Sequence, residues 1–278
     1  MKILFWNIGD DPTAAQLTFV ENSIAHIDAD VACLAEGAPT EPKCVTLVNS
    51  IKGGGYNSFY DPTFYSGPSI SNQYGYRKLG LKVFEKPVSY KTGPFTFADQ
   101  AVDGRVVYYR FKFNNESYSC FFIHNRSLAG DHISQGDFMF QLRLTINAKT
   151  INHKKDKVFI IGDFNLEPWD KLLHHNRTIK SYFSTKRFQF YSTRGGKNKF
   201  FNPFYEYMQS NVNANLQGTF NTISHNSLID FGLFSGGMTN YMIDILHSIN
   251  GQSLLIQNNT RLTLLHGFDH LPILITIN

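Results

Sequence analysis

Residues 158–165, with the sequence Val-Phe-Ile-Ile-Gly-Asp-Phe-Asn, constrain the fold of this chain more than any other stretch. A short apolar run bounded by Lys157 and Gly162 predicts a buried strand. Asp163 and Asn165 then stand two residues apart, so both side chains leave the strand end on one face. A carboxylate can accept a proton or bind a hard cation, and a carboxamide donates hydrogen bonds without adding charge. The pair suits a metal-bound phosphate ester, and the structural alternative is an ordinary turn.

Composition places the chain among globular proteins that are rich in strands. Its 278 residues suffice to bury a substantial core, and a hydrophobic content of 42% argues against disorder. The 25 Phe and 14 Tyr residues favour strands with sandwich-like packing. A net charge of +4 permits a polyanionic partner without demanding one. No apolar run approaches the roughly 18 residues needed to span a bilayer, so we expect no membrane span, and no protein partner is deducible.

Cysteine usage and the N-terminal segment bear on the compartment. The three cysteines are Cys33, Cys44 and Cys120, an odd and widely scattered set. Cys33 and Cys120 lie in apolar runs and are expected to be buried free thiols, which suits a reducing compartment. No Cys/His spacing predicts a zinc site. The apolar run after Met1 is too short for a signal-peptide core and has no cleavage-site pattern, so we expect a cytoplasmic protein.

Strands and helices alternate along the chain without a repeat, a low-complexity tract or a long linker. Asp11 is the expected N-cap of the first helix, with Pro12 in its first position. The predicted elements are strands at 2–7, 30–36, 79–85, 104–113, 118–124, 158–162, 227–235 and 271–277, and helices from 11, at 42–52 and at 135–152. We therefore predict one domain over residues 1–278 with an α/β fold, in which helices cover two packed sheets.

A basic, aromatic segment at about residues 171–207 is predicted to be an insertion in this domain. Its only acid is Glu206. The basic residues are Lys171, Arg177, Lys180, Lys186, Arg187, Arg194, Lys197 and Lys199, interleaved with Tyr182, Phe183, Phe188, Phe190, Tyr191, Phe200 and Phe201. Basic charge combined with stacking side chains is typical of surfaces that bind single-stranded nucleic acid. The alternative is a solvated loop over a small aromatic core.

Polar side chains follow the ends of several predicted apolar strands. They are Asn7, Glu36, His124, Asp163 with Asn165, Asp230, and Asp269 with His270. Because ligand sites in layered α/β folds gather at strand ends, these side chains are expected to converge on one rim. Taken singly, Asn7 suits a turn, His124 a packing residue and Asp230 a strand cap. A carboxylate such as that of Glu36 costs free energy after a buried apolar run unless it meets a cation or leaves the core.

The order Asn…Glu…His…Gly-Asp-x-Asn…Asp…Asp-His resembles the endonuclease/exonuclease/phosphatase superfamily, which has the fold of pancreatic-type deoxyribonuclease. The matching pieces extend from Lys2 to Ile277, essentially the whole chain. They are Ile3-Leu4-Phe5-Trp6-Asn7, Asp30 to Glu36, Ile123-His124, Gly162 to Asn165, Ile229-Asp230, and Asp269-His270-Leu271-Pro272. The resemblance implies a four-layer α/β/β/α sandwich of two packed mixed β-sheets flanked by helices. It also implies hydrolysis of phosphate esters with Mg²⁺ or Mn²⁺.

Roles for individual residues follow from the resemblance. Glu36 resembles the principal metal ligand, Asp269 shares the metal, and Asn7 lies beside the metal and the phosphate. Asp163 positions or deprotonates the attacking water, and Asn165 steadies a phosphoryl oxygen.

The remaining predicted site residues are two histidines, an aspartate and an arginine. His270, oriented by Asp230, contacts the phosphate or carries the proton in base catalysis. Families differ on whether this pair or the Gly-Asp-Phe-Asn aspartate is the base. His124 resembles the histidine that binds the phosphate or protonates the leaving group. Arg105 is a further predicted substrate-binding residue.

His124 also separates branches of the superfamily. Abasic-site endonucleases typically have a tyrosine at this position, whereas deoxyribonucleases, sphingomyelinases and inositol-polyphosphate phosphatases have histidine, so a repair endonuclease is disfavoured.

Two features depart from the deoxyribonuclease pattern. The carboxylate expected to partner His124 should lie near residues 74–78, but that segment holds Arg77 and Lys78 and no acid. The ending Leu34-Ala35-Glu36 replaces the usual Gln-Glu, which keeps the metal ligand and removes its neighbour.

The leading hypothesis from the sequence is a Mg²⁺-dependent phosphodiester hydrolase, a nuclease or endonuclease acting on DNA or RNA. A phosphatase or phospholipase C-type hydrolase acting on inositol phosphates or sphingomyelin-like lipids is the alternative enzyme, since one fold serves many substrates. A non-catalytic module that binds nucleic acid or phosphate on the same scaffold is the alternative outside enzymes.

Overall fold

Short strands dominate the part of the chain that the computed structural model describes, namely residues 1–37, 40–60, 80–87, 97–98, 105–125, 132–149, 157–175, 177–184, 186–189, 199–204, 220–221, 226–258 and 261–278. The strands are β1 (Lys2–Asn7), β2 (Val31–Ala35), β3 (Asn57–Tyr60), β4 (Leu81–Glu85), β5 (Phe97–Ala98), β6 (Val106–Phe113), β7 (Glu116–His124), β8 (Lys157–Asp163), β9 (Lys180–Tyr182), β10 (Lys199–Phe201), β11 (Phe220–Asn221), β12 (Asn226–Ser227), β13 (Asp230–Phe234), β14 (Tyr241–Ile245), β15 (Ser248–Ile249), β16 (Gln252–Ser253), β17 (Leu255–Asn258), β18 (Arg261–Leu264) and β19 (Ile273–Ile277).

The helices are α1 (Ala14–Ile27), α2 (Glu41–Gly53) and α3 (His132–Lys149), with 3₁₀ helices at Lys171–Leu173 and Leu265–Gly267. The prediction that Asp11 caps α1 is wrong, because Thr13 is the N-cap. The Thr13 hydroxyl accepts a hydrogen bond from the Gln16 N–H, and the Gln16 side chain accepts one from the Thr13 N–H. This reciprocal pair satisfies two backbone donors at once, which a lone Asp11 cap would not do.

The strands form two mixed main sheets. Sheet 1 has the order β14-β19-β1-β2-β4-β3, and sheet 2 has the order β5-β6-β7-β8-β13-β10-β9. In sheet 1, β1 is parallel to β2 and antiparallel to β19. In sheet 2, β8 is parallel to β7 and antiparallel to β13. Three two-stranded hairpins complete the described strands.

The central strands of both sheets are covered on both faces. Every residue of β2, β4 and β13 is buried, and β2 is accordingly a continuous apolar run rather than an alternating pattern. Strand β1 contacts β8, and β4 contacts β6 and β7, so the sheets pack face to face. On the outer side of sheet 1, the ring of Trp6 lies 6.2 Å from that of Phe19 in α1.

Helix α3 adds its buried side chains to the same core, namely Phe138, Met139, Leu142 and Ile146. The predicted α/β fold, a four-layer α/β/β/α sandwich, is confirmed. Cys33 and Cys120 are buried free thiols, as predicted, and Cys44 is buried too. No described helix has both the length and the apolar character that crossing a membrane requires.

The basic segment at 171–207 contributes two strands to sheet 2. Strand β10 pairs with β13, and β9 pairs with β10 at the edge of the sheet. The aromatic residues Phe188 and Phe200 are buried, whereas the basic residues Lys186 and Arg187 are exposed. Arg194 and Lys197 lie outside the described residues. The small aromatic core and the basic surface are therefore parts of the same segment.

We expect the substitution Gly162→Ala to destabilise the protein by about 3 kcal/mol or more, beyond the usual cost of overpacking. A Cβ at Gly162 would lie 2.0 Å from the carbonyl oxygen of Ile123 on β7, and backbone atoms cannot move aside without breaking the β7–β8 pairing. Urea unfolding measures the change. Gly53→Ala is the matched control, because a Cβ at that helical glycine meets no atom within 4 Å. Equal stability of the two variants would contradict the expectation.

Candidate active site

Three adjacent strands of sheet 2 place three predicted site residues side by side. His124 ends β7 and lies opposite Asp163, which ends β8. Asp230 begins β13 and lies opposite Asp163 on its other side, because β13 runs antiparallel to β8. All three side chains are buried, at 2% exposure or less. The strand register therefore builds a row of one imidazole and two carboxylates.

Asn7 connects this row to sheet 1. Its Nδ2 donates a hydrogen bond of 3.0 Å to Asp163 Oδ2, and its Oδ1 accepts one of 3.0 Å from the Gly9 N–H. The second bond fixes which end of the amide faces Asp163. Asp163 Oδ1 accepts a further hydrogen bond of 2.8 Å from the Asn165 N–H. The carboxylate is thus held in one orientation through both oxygens.

The environment of Asp163 raises its pKa to about 6. Burial is the largest cause, followed by repulsion from Asp230, and both disfavour the charged form. Attraction to His270 and His124 and the hydrogen bond from Asn7 act in the opposite direction. Asp163 is therefore a carboxyl group that changes its protonation state close to neutral pH.

Asp230 and His270 form a buried pair. His270 Nδ1 lies 2.8 Å from Asp230 Oδ2, and the His270 carbonyl accepts a hydrogen bond of 3.0 Å from Trp6 Nε1. Burial alone would lower the pKa of His270, but Asp230, Asp163 and Asp269 together raise it to about 10. At neutral pH the ring is therefore an imidazolium, whose Nε2 is directed away from Asp230.

Glu36 contacts His124 rather than open solvent. His124 Nε2 lies 3.1 Å from Glu36 Oε1 and 3.8 Å from Asp163 Oδ2. Burial would raise the pKa of Glu36, but the hydrogen bond and attraction of His124, with smaller contributions from Asp10 and His270, lower it to about 2. Residues 74–78, where a partner for His124 was sought in the sequence, lie outside the described residues.

The backbone at Glu36 adopts an unusual conformation that positions its carboxylate. Its φ is +63°, in the left-handed region, and Gly37 follows at +85°. Lys82, fully buried on β4, donates hydrogen bonds through Nζ to the carbonyls of Glu36 and Gly80. The ammonium group thereby stabilises the turn that directs Glu36 toward the rim.

The oxygen donors at this end of the rim fit a hard divalent cation. Glu36 is ionised. Burial is the main cause that raises the pKa of Asp269, and the negative charge of Glu36 adds to it. A Cβ at Gly9 would lie 3.8 Å from Asp269 Oδ1, so the chain after Asn7 runs beside Asp269. Carboxylate and amide oxygens are the ligands that Mg²⁺ and Mn²⁺ prefer. Glu36, Asp269 and Asn7 are thus a suitable set.

A second group of potential ligands lies nearby, since ligand atoms of Asp163, Asp230 and His270 are within 4.8 Å of one another. Their hydrogen bonds point to a different use. His270 and Asp230 bind each other, and both oxygens of Asp163 accept hydrogen bonds. These contacts suit the holding and transfer of protons, and Glu36 with Asp269 remains the predicted set for the metal.

Asn165 and Arg105 occupy supporting positions. Asn165 has a left-handed φ of +47° and donates through Nδ2 to the Asn125 carbonyl at 3.0 Å. Arg105 is buried, and its Nη1 donates to the carbonyls of His124 and Asn125 at 3.3 and 3.1 Å. Arg105 therefore fixes the backbone behind His124, and its predicted contact with substrate remains a prediction.

Sequence reasoning missed several residues that support the rim. Asn125, fully buried, donates through Nδ2 to the Phe164 carbonyl at 2.7 Å, and its N–H donates to the Asp163 carbonyl at 2.8 Å. Its position directly after His124, where a predicted strand ends, is the sequence feature that could have identified it as a site residue. Lys82 interrupts an apolar run, and a charged residue in such a run indicates a buried ammonium group that needs hydrogen-bond partners. Asp10, which lowers the pKa of Glu36, had no motif to mark it.

The comparisons with known proteins agree with this geometry. Residues 4–220 match the Endonuclease/Exonuclease/phosphatase family. A humanized D. rerio TDP2 carrying 14 mutations superposes with a TM-score of 0.60 at 12% identity, covering 100% of this chain and 98% of that one. A mutant beta toxin from Staphylococcus aureus with bound magnesium ions gives 0.56 at 14% identity, with 100% and 99% coverage.

An AP endonuclease from Archaeoglobus fulgidus gives a TM-score of 0.55 at 13% identity, covering 100% of this chain and 99% of that one. No curated protein sequence matches the chain. At these identities the solved structures establish the fold alone, while the family match extends over most of the chain. This protein belongs to the Endonuclease/Exonuclease/phosphatase family.

Proposed function

We propose that this protein is a Mg²⁺- or Mn²⁺-dependent phosphodiesterase that cleaves nucleic acid. Family membership indicates a metal-dependent phosphoester hydrolase, and the substrate and the residue roles are the proposal. The observation that carries it is the setting of Asp163. This carboxylate is oriented by Asn7 and Asn165 and lies within 4.8 Å of the buried Asp230–His270 pair.

Asp163 is the proposed general base. A carboxylate with a pKa of about 6 is largely ionised at neutral pH and still accepts a proton from water as that water attacks phosphorus. The hydrogen bonds from Asn7 and Asn165 fix the direction of its oxygens, so proton transfer requires no rearrangement of the base. The Asp163 side chain then carries the proton that the water has lost.

His270 is proposed to stabilise charge rather than to act as the base. Asp230 holds Nδ1 and keeps the ring protonated, so Nε2–H is available to donate to a phosphoryl oxygen. His124 is proposed to bind the phosphate or to protonate the leaving alkoxide. Asn165 is proposed to donate to a second phosphoryl oxygen, next to its bond with the Asn125 carbonyl.

Glu36 and Asp269, with Asn7 beside them, are the residues that would hold the metal ion. When bound, Mg²⁺ or Mn²⁺ would offset negative charge on the phosphoryl and leaving oxygens. The contact between Glu36 and His124 keeps the Glu36 carboxylate ionised, which is the form that binds a cation.

Nucleic acid is favoured over a small or lipid phosphate by the charge beside the rim. The exposed residues Lys171, Arg177, Lys186 and Arg187 form no ion pair with any described residue. Several exposed cations in one segment suit a polymer with many phosphates better than a substrate with one. An AP endonuclease among the proteins of similar fold is consistent with a nucleic-acid substrate, as a sphingomyelinase C among them is with a lipid phosphate, so the exposed charge carries this choice.

A substrate panel tests the proposal. We expect cleavage of plasmid, single-stranded DNA or RNA with Mg²⁺ or Mn²⁺, loss of cleavage with EDTA, and weak hydrolysis of bis-p-nitrophenyl phosphate. Inositol phosphates and sphingomyelin serve as the comparison substrates in the same buffers. Turnover of one of these compounds, with no cut in any nucleic acid, would transfer the assignment to the phosphatase or phospholipase class.

The Asp163→Asn variant should lose turnover by a factor of roughly 10² to 10⁴, because the amide cannot accept the proton. Folding and ligand binding should be largely unchanged. For the wild type, kcat/KM should fall as the pH drops through about 6, since protonated Asp163 is no longer a base. Asp137→Asn, at an exposed position in α3, is the matched control. Near-wild-type turnover by Asp163→Asn would remove its assigned role.

Replacement of Asp230 by Asn should lower the pKa of His270 from about 10. Burial then acts with less opposing charge, because the nearest carboxylate is gone. Histidine Cε1–H chemical shifts followed by NMR against pH report this directly and without turnover. His26, which is exposed on α1, is the internal control. If His270 still titrates near 10, Asp230 does not keep it protonated.

A further inference from the structure

An exposed tryptophan stands close to the rim. Trp169 is 43% exposed and lies six residues after Asp163 in the same loop. Trp6 is 1% exposed, so among the two tryptophans only Trp169 reaches solvent. An exposed indole presents a flat aromatic face on which an unpaired base can stack.

The turn that presents Trp169 is held in place by its neighbours. The Asp170 N–H donates to the Glu167 carbonyl at 2.9 Å, which closes a turn over Pro168 and Trp169. The carbonyl of Pro168 accepts a hydrogen bond of 3.3 Å from Nδ2 of the fully buried Asn202. Asp170 in turn caps the 3₁₀ helix at Lys171–Leu173. The tryptophan is therefore displayed on an anchored turn.

Two exposed cations occupy the adjoining edge of sheet 2. Lys186 and Arg187 lie in a helical turn at 186–189, which follows β9. Phe188 anchors this turn, because its buried ring lies 6.3 Å from that of Tyr182 and 5.8 Å from that of Phe201. With the aromatic side chain inward, the two basic residues are left on the surface.

The strand directions bring these cations toward the rim. Strand β10 is antiparallel to β13, which is antiparallel to β8, and β9 is parallel to β10. Strands β8, β10 and β9 therefore run the same way, so the chain leaves β9 toward the edge where Asp163 ends β8. Three strand spacings of roughly 4.8 Å separate β9 from β8, about 14 Å in all.

We propose that Trp169, Lys171, Lys186 and Arg187 form a binding surface for a single strand of nucleic acid next to the catalytic rim. Trp169 stacks on an unpaired base, and the three cations contact phosphates of the flanking nucleotides. The proposal rests on the proposed nuclease function and narrows its substrate to a strand with accessible bases. An aromatic platform combined with basic side chains is how proteins hold single strands without reading their sequence.

Binding of a fluorescein-labelled dodecamer of deoxythymidylate, measured by anisotropy with Mg²⁺, tests the surface. The Asp163→Asn background prevents cleavage. Adding Trp169→Leu should weaken binding at least about fivefold and abolish the quenching of tryptophan fluorescence by the oligonucleotide. Adding Lys186→Gln with Arg187→Gln should reduce the slope of log K against log salt concentration by about 1.4, since each single-strand phosphate contact contributes ~0.7.

Matched controls separate local contacts from general charge. Lys52→Gln with Lys112→Gln removes the same charge from exposed positions on α2 and β6, and Phe140→Leu alters an aromatic side chain that is 40% exposed on α3. These controls should bind the oligonucleotide as the Asp163→Asn background does. If they weaken binding as much as the surface variants, or if the surface variants bind normally, no such site exists.

Vesicles of phosphatidylcholine and phosphatidylserine provide the competing outcome, because tryptophan with basic residues also suits an anionic membrane. Sedimentation with vesicles that depends on Trp169, with oligonucleotide binding unaffected, would overturn the proposal. Hydrolysis of bis-p-nitrophenyl phosphate by the wild type reports the proposed function separately from binding of the oligonucleotide. If the wild type hydrolyses bis-p-nitrophenyl phosphate but the protein does not bind the oligonucleotide, the proposed surface is wrong and the proposed function stands. If the protein binds the oligonucleotide but the wild type hydrolyses no phosphodiester, the proposed function is wrong and the surface stands.

Discussion

The hydrogen bond from Asn7 to Asp163 is the contact on which the rim depends, because it joins the two sheets where their site residues meet. Trp6 faces α1, so its neighbour Asn7 on the same strand faces sheet 2, as alternation along a strand requires. Gly162 allows β8 to pair closely with β7 within sheet 2, because any side chain there would meet the backbone of β7. The position of Asp163 thus follows from packing between sheets and from close pairing within one.

Burial makes the ionisation of each rim residue depend on its neighbours. Asp230 is fully buried and Asp163 is 1% exposed, so both would resist ionisation in isolation. His270 compensates Asp230 directly, and Asp163 is left with hydrogen-bond donors and a pKa of about 6. Asp163 and Asp230 face each other across one strand pair but have different hydrogen-bond partners. Their environment, not their residue type, separates a group that orients an imidazolium from a group that can accept a proton.

Much of this arrangement was predictable, because it rests on local patterns. Continuous apolar runs mark buried strands, and the polar residue that ends each run marks the site edge, as at Glu36 and Asp163. The pairing of Asp230 with His270 was also anticipated, and the contact of 2.8 Å bears it out. The contact of His124 with Glu36 depends on bringing the two sheets together, which no single segment encodes. The edge strands β9 and β14, and β10 beside β9, are not predicted from the sequence, because β9 and β10 are short and β14 alternates with exposed residues.

The proposed catalytic rim and the proposed binding surface occupy different parts of this fold. The rim lies on central strands, where buried pairs fix each side chain and a change disturbs several neighbours at once. The basic residues lie around the edge strands, where an unpaired row of backbone groups must be kept from joining another sheet. Lysine on such an edge discourages that pairing, and Lys180 on β9 is placed to do so. Because protection of the edge already requires positive charge there, the same region can acquire affinity for a polyanion without altering the strands that hold Asp163.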